Sequence, residues 1–382
     1  MAKNIVICCD GTGNEFAADD NSNVVKLYST LQIDDKQVAF YHPGVGTMGS
    51  PAALTWAEKY WTKVLGLAFG RGLLEDVSLA YEFLMEKYED GDSIYLFGFS
   101  RGAYTARAVA AVLHMYGLLY SGNESLIAYM LRMFARRTRQ QGNIHQTFEV
   151  AHEFKGTFSR DCLIHFVGVW DTVSSVGWIY DPVVLPYTAR NPIMQIGRHA
   201  ISIDEHRCFF QNNLWGRPFI NGDDQYRVDQ NIKQVWFAGV HSDVGGSYPE
   251  LESGLSKIAL EWMLAESSQA GLLISQKKAE KVLGYSGGPC AKPDPAACQH
   301  ESLRGPWWAV EFLPYRYYDF DTREYRYRIP RGAHRTIPEG STLHETVIDR
   351  MTLVPEYRPT NLPKSYQIEP WVKFPLGAAA NP

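Results

Sequence analysis

Residues 93–103 read Ser93-Ile94-Tyr95-Leu96-Phe97-Gly98-Phe99-Ser100-Arg101-Gly102-Ala103. The first half is a continuous apolar run, as in a strand buried on both faces. The second half opens the alanine-rich stretch Ala103-Tyr104-Thr105-Ala106-Arg107-Ala108-Val109-Ala110-Ala111. Such a helix can lie close against a sheet, because small side chains keep the axes near. Between them stands Gly98-x-Ser100-x-Gly102, the nucleophile-elbow pattern. A strand that turns sharply into a helix needs small residues at both flanks, and the turn lifts the serine out of the sheet. The N-terminus of the helix then points its free N–H groups and positive dipole end at Ser100. The N–H of Arg101 is the first candidate oxyanion donor.

Outward from this element the chain alternates strand and helix. Ile5–Cys9 and Gln37–Tyr41 read as strands, the first closed by Asp10-Gly11-Thr12-Gly13-Asn14. Residues 56–69 and 72–88 read as helices, the second with Leu73, Val77, Tyr81, Leu84 and Tyr88 at helical spacing. Further helices are expected over 101–115, 124–139, 145–155 and 255–273, and further strands over 162–169 and 233–240. Tyr325 and Tyr327 alternate with Arg326 and Arg328, as in a hairpin strand. This order predicts an α/β fold: a mostly parallel sheet flanked by helices, like that of the α/β hydrolases. Residues 1–285 form the expected core. Within it, 174–232 is too long for a βα loop and reads as an aromatic insertion before the last catalytic strand, a candidate lid. Residues 286–382 are expected as a loop and a C-terminal extension packed on the core.

A nucleophilic serine needs a base, and the base needs an orienting group. In α/β hydrolases the chain order is serine, acid, histidine. Asp171 ends the apolar run Phe166-Val167-Gly168-Val169-Trp170, at the strand edge where open sheets carry functional groups. His241 follows the run Val235–Val240 and precedes a Gly-Gly turn, unlike the other ten histidines. Asp171 lies 71 residues after Ser100, and His241 another 70 on, room enough for intervening βα units. A second oxyanion donor is expected from the first strand-to-helix turn, at the N–H of Gly11 or Thr12. Asp10 in that turn is a candidate for contact with substrate. A phosphate loop is the weaker reading of the same turn, since Phe16 stands where a third glycine belongs. A cation held by Asp10, Asp171 and Asp243 is a minor alternative. Trp178, Tyr180 and Trp215 either line an acyl pocket or pack in the core. Asp204 and Arg207 line the pocket or form an ion pair, with a structural role favoured.

Composition bounds the rest. The 382 residues are 45% hydrophobic and 21% charged, which suits a globular chain. Thirty-seven basic against 42 acidic residues leave −5, which argues against a nucleic-acid partner. No apolar run approaches the roughly 18–20 residues that span a bilayer, and the start has no signal-peptide layout, so a cytoplasmic protein is expected. Six cysteines without a CxxC give neither a disulfide framework nor a zinc site. Cys290 and Cys298 flank a Pro-rich loop and either pair or stay free. The basic amphipathic stretch Tyr129–Arg139 is a candidate for peripheral membrane contact, with a solvated surface helix the favoured alternative. No metal or organic cofactor is called for.

The blocks Cys9-Asp10-Gly11-Thr12-Gly13-Asn14, Gly98-Phe99-Ser100-Arg101-Gly102-Ala103-Tyr104-Thr105-Ala106-Arg107, Val169-Trp170-Asp171-Thr172-Val173 and His241-Ser242-Asp243-Val244-Gly245-Gly246 resemble an α/β-hydrolase domain family that includes type VI secretion phospholipase effectors. The segment Ile203-Asp204-Glu205-His206-Arg207 and the tail Tyr357–Pro363 share the likeness. The resemblance implies a Ser-Asp-His hydrolase, with Ser100 as nucleophile, Asp171 as orienter and His241 as base. It further implies lipid or phospholipid acyl esters as substrates and delivery by a secretion system in some members. A small-acyl esterase and a non-catalytic binding protein on the same fold are the alternatives.

Overall fold

The computed structural model describes residues 2–11, 20–44, 69–137, 144–173, 177–178, 181–182, 185–216, 229–305, 307–319 and 324–374. Eight strands build its main sheet: β1 (Asn4–Cys9), β2 (Gln37–His42), β3 (Ser93–Phe99), β4 (Ile164–Trp170), β5 (Met194–Ser202), β6 (Asn231–Phe237), β7 (Ser341–His344) and β8 (Tyr366–Glu369). Their order is β8-β7-β6-β5-β4-β3-β1-β2, and every pairing is parallel. The chain leaves β1 toward one edge and returns on its other side as β3. The C-terminal ends of β1 and β3 therefore adjoin at a switch point, where open α/β sheets bind ligands.

Helices cover both faces, so β1, β3 and β4 at the middle of the sheet are largely apolar. On one face lie α2 (Phe69–Lys87), α3 (Arg101–Tyr116), α4 (Ile127–Arg137) and α5 (Ile144–Phe158), packed through Val77, Tyr81, Val109 and Phe134. On the other lie α1 (Asn23–Thr30) and α7 (Gly254–Gln269), with Val24, Leu27, Ile258 and Met263 against Phe97 and Trp170. Between β6 and α7 stands the single turn α6 (His241–Gly245). Beyond it come α8 (Gln276–Val282), α9 (Trp307–Glu311) and α10 (Glu345–Leu353). The α3 helix is buried along nearly its whole length, as its alanines allow.

Two expectations are corrected. The stretch 174–232 is not wholly an insertion, because β5 lies inside it and sits between β4 and β6. Its sequence, Met194-Gln195-Ile196-Gly197-Arg198-His199-Ala200-Ile201-Ser202, hides a central strand behind a buried cation and imidazole. Both polar groups are satisfied there. Arg198 pairs with Glu266 and donates to the Gly197 and Asn231 carbonyls, and His199 Nε2 accepts from the Thr172 N–H at 3.2 Å. Residues 286–382 are more than an extension, since β7 and β8 continue the sheet itself. The Tyr/Arg stretch forms the expected hairpin, Tyr315–Asp319 against Glu324–Arg328. The helix expected over 56–69 falls, but for Phe69, outside the described residues. Cys290 and Cys298 are unbridged. The basic helix α4 turns Ile127, Met130, Leu131 and Phe134 into the core, so its apolar face is already occupied.

Candidate active site

Ser100 stands between β3 and α3 with φ 58° and ψ −120°, a region that non-glycine residues avoid. Strain of this kind persists only where the surroundings over-determine the backbone. Here they do. A Cβ on Gly102 would stand 2.2 Å from the Cys9 carbonyl oxygen and 2.4 Å from that of Asp10; one on Gly98 would stand 2.5 Å from the Gly102 oxygen. The helix start is thus pressed onto the end of β1 at backbone contact. The Ser100 N–H donates to the Trp170 carbonyl at 3.1 Å, which ties the elbow to β4.

The three expected residues meet. His241 Nε2 lies 2.8 Å from Ser100 Oγ, and His241 Nδ1 lies 2.5 Å from Asp171 Oδ2. An ionised Asp171 accepts from Nδ1–H, which leaves Nε2 to accept the Ser100 hydroxyl proton. Asp171 is fully buried, His241 4% exposed and Ser100 9% exposed. Asp171 also has a positive φ, 37°, just beyond β4, and its N–H donates to the Ala200 carbonyl at 2.7 Å. The imidazole sits between two rings, Phe99 at 4.7 Å and Phe210 edge-on at 4.8 Å between centroids. Its backbone N–H donates to Glu205 Oε2 at 3.2 Å.

Sequence reading missed the groups behind this line. Arg335 forks onto Asp171, Nη1 to Oδ1 at 2.6 Å and Nη2 to Oδ2 at 3.0 Å, and the Ser202 N–H adds a bond to Oδ1 at 3.0 Å. Burial would push the Asp171 carboxyl up; the Arg335 guanidinium and the His241 bond outweigh it and hold it well below the usual carboxylate range. Burial also holds the His241 imidazole below its ordinary value, although Asp171 pulls the other way. Glu205 is buried too, yet its carboxyl is held down to about 2, chiefly by Arg207 bonded to both its oxygens at 2.9 Å. The Arg207 guanidinium in turn lies 3.6 Å from the centroid of the Phe210 ring. Arg335 stands in an irregular, distant stretch with no local signal of a role.

The remaining expectations divide. The Gly11 N–H donates to Asp10 Oδ1 at 2.7 Å, so it is not available to an oxyanion in this arrangement. Asp10 is itself buried and accepts from Ser22 Oγ at 2.6 Å and Tyr41 OH at 2.9 Å, bonds that hold the start of the turn. Thr12 and Tyr180 lie outside the described residues. Trp178 lies in a two-residue pairing, Gly177–Trp178 with Asp181–Pro182, and its side chain is outside the described set. Trp215 is core: buried, 4.5 Å from the Arg107 guanidinium and edge-on to His199. Arg207 pairs with Glu205, whereas Asp204 accepts from the Gly239 N–H at 2.7 Å and Tyr357 OH at 2.9 Å. The cation alternative has no geometry behind it. Asp243 takes His300 at 2.6 Å, and among the described residues no group of three or more His, Cys, Asp or Glu is placed to hold a metal ion.

A parallel sheet with a strained serine at its switch point defines an α/β-hydrolase-like fold. Residues 3–266 match the family described as type VI secretion system (T6SS) phospholipase effector Tle1-like, catalytic domain, and the chain belongs to that family. The uncharacterized protein YEL023C of Saccharomyces cerevisiae is 37% identical over 219 residues, 55% of this chain and 32% of that one. The chain thus spans about a third of that relative's length. Two solved structures are similar at lower identity. One is an uncharacterized protein from Pseudomonas aeruginosa, with 20% identity, 73% of this chain and 47% of that chain covered, and TM-score 0.39. The other is the Tle1 effector bound to the VgrG spike of the type 6 secretion system, with 18% identity, 66% and 52% covered, and TM-score 0.34.

Proposed function

We propose that the chain hydrolyses carboxylic esters through Ser100, His241 and Asp171, and that its substrates are lipid or phospholipid acyl esters. The observation that carries this is the unbroken hydrogen-bonded line from the Ser100 hydroxyl through the imidazole to a buried carboxylate. The family's description supports the lipid class. Ser100 Oγ attacks the ester carbonyl while His241 Nε2 takes its proton. Asp171 keeps the imidazole in the tautomer with Nδ1–H and stabilises the imidazolium that forms. The Arg101 N–H, first in α3, donates to the developing oxyanion, aided by the helix N-terminus. Since the Gly11 N–H is engaged by Asp10, Thr12 is the remaining candidate in that turn for the second donor. His241 then returns its proton to the leaving alcohol. Water, deprotonated by the same imidazole, attacks the acyl carbon, and His241 passes that proton to Ser100 Oγ as the ester bond to serine breaks and the carboxylic acid leaves.

The test is a panel of p-nitrophenyl esters of rising chain length with phospholipid vesicles, together with fluorophosphonate labelling read by mass spectrometry. The adduct is expected on Ser100, with turnover highest on long acyl chains. A short-chain optimum would make the protein a small-ester esterase. Folded protein that is neither labelled nor active would point to a binding protein. A second outcome concerns pH. The imidazole acts as base only when neutral, and its proton is held less tightly than in a free histidine. The rate should therefore rise with pH through a limb centred below pH ~6.5, the ordinary imidazole value. A limb at or above that value would contradict this electrostatic account.

A further inference from the structure

Arg335 is placed for more than holding the fold together. Its side chain is 1% exposed, and every N–H has an acceptor. Nε donates to the Phe210 carbonyl at 3.0 Å, and Nη2 donates to that same oxygen and to Asp171 Oδ2. Nη1 donates to Asp171 Oδ1 and to Ser202 Oγ at 2.7 Å, with the Ser202 carbonyl at 3.2 Å. Both anchors bear on one imidazole. Asp171 bonds to its Nδ1, and Phe210 lays its ring edge against it. The residue comes from outside the 3–266 stretch matched to the family, yet it ends inside the site.

The charges around His241 make the consequence specific. Asp171 faces it from the end of β4. Glu205 and Arg207 face it from the segment after β5, already paired with each other. Asp243 on α6 is bonded to His300. Behind Asp171, Arg107 lies against His199, whose Nε2 accepts from Thr172. Without Arg335 the carboxylate next to the imidazole would be a buried, unmatched negative charge, and a proton on His241 would be its nearest counter-charge. With Arg335 the resting carboxylate is already neutralised, and the imidazole stays free to accept the serine proton.

We propose that Arg335 is a positioning residue of the hydrolytic site, fixing the Asp171 carboxylate in a two-point fork and offsetting its charge so that His241 remains an unprotonated base in acid. The inference rests on the serine-hydrolase reading. The test compares wild type, Arg335→Met and Arg335→Lys for kcat and KM against pH on the best ester. Fluorophosphonate labelling and a melting curve accompany each. Arg335→Met should move the acid limb up by at least one pH unit and lower kcat about 100-fold at the plateau, with KM within about threefold. Arg335→Lys keeps the charge but loses the fork; it should keep the wild-type limb and lose about tenfold in kcat. An unmoved limb in folded Arg335→Met overturns the inference, as does an equal shift in both variants. If Arg335→Met does not fold, Arg335→Lys decides alone: a wild-type limb with reduced kcat supports the assignment, and a shifted limb or an unchanged kcat overturns it. Wild-type protein that is folded but unlabelled and inactive sinks the functional reading itself. A labelled, active wild type with unaltered variant profiles sinks this inference alone.

Discussion

Ser100→Ala should lower kcat/KM on the best ester by on the order of 10⁴-fold or more, with the fold intact and fluorophosphonate labelling abolished. The magnitude follows from the way such groups act as a unit, since losing the nucleophile leaves only binding and oxyanion stabilisation. The substitution keeps a Cβ at φ 58°, so the strain of the elbow stays and stability should change little. Ser100→Gly separates the two roles. It removes the nucleophile and also relieves the unfavourable φ, so it should be equally inactive yet more stable, by about 1 kcal/mol. The gain is bounded by the extra freedom that glycine gives the unfolded chain. Thermal unfolding of the three proteins checks this. A Ser100→Gly variant less stable than Ser100→Ala would show that the side chain, not the strained backbone, carries energy at this position.

That strain was partly legible in the sequence, because Gly98 and Gly102 announce a turn in which the residue between them is squeezed. The same logic pointed to Asp171 and His241, which the fold brings into line with Ser100. Each ends an apolar run, and the C-terminal edge of a parallel sheet is where such ends converge. What escaped was whatever depended on partners distant in sequence. The β5 strand carries Arg198 and His199 through the middle of the sheet, and their acceptability depends on Glu266 and on Arg107 with the Thr172 N–H, none of them local. Arg335 lies 164 residues from the carboxylate it grips. The β7 and β8 strands are four residues each, and β8 is mostly exposed, so neither has the apolar run by which the inner strands are recognised. At Gly11 the competition is local. A glycine in the right turn supplies a donor, but Asp10 beside it captures that N–H within the turn.

Gly102→Ala should damage the fold itself, and by far more than an ordinary glycine replacement. The added methyl carbon would stand 2.2 Å from the Cys9 oxygen and 2.4 Å from the Asp10 oxygen, both backbone atoms at the end of a central strand. No flexible side chain can move aside. Either α3 lifts from β1, exposing buried alanine and valine surface along the helix, or β1 shifts against β2 and β3, to which it is paired over its whole length. An overpacked core site typically loses 1–3 kcal/mol, and a contact this close between two rigid elements belongs at about 3–5 kcal/mol. Gly156→Ala is the matched control. It lies on the exposed face of α5, has nothing within 4 Å of the new carbon, and has no positive φ. There alanine should stabilise by roughly 0.5–1 kcal/mol through helix propensity. Urea unfolding of both variants gives the comparison directly. The two substitutions are chemically identical, so a large gap between them isolates the α3–β1 contact. If Gly102→Ala unfolded at the wild-type midpoint, the close approach of α3 to β1 would not be what forces Ser100 into its strained turn, and the elbow would need another cause.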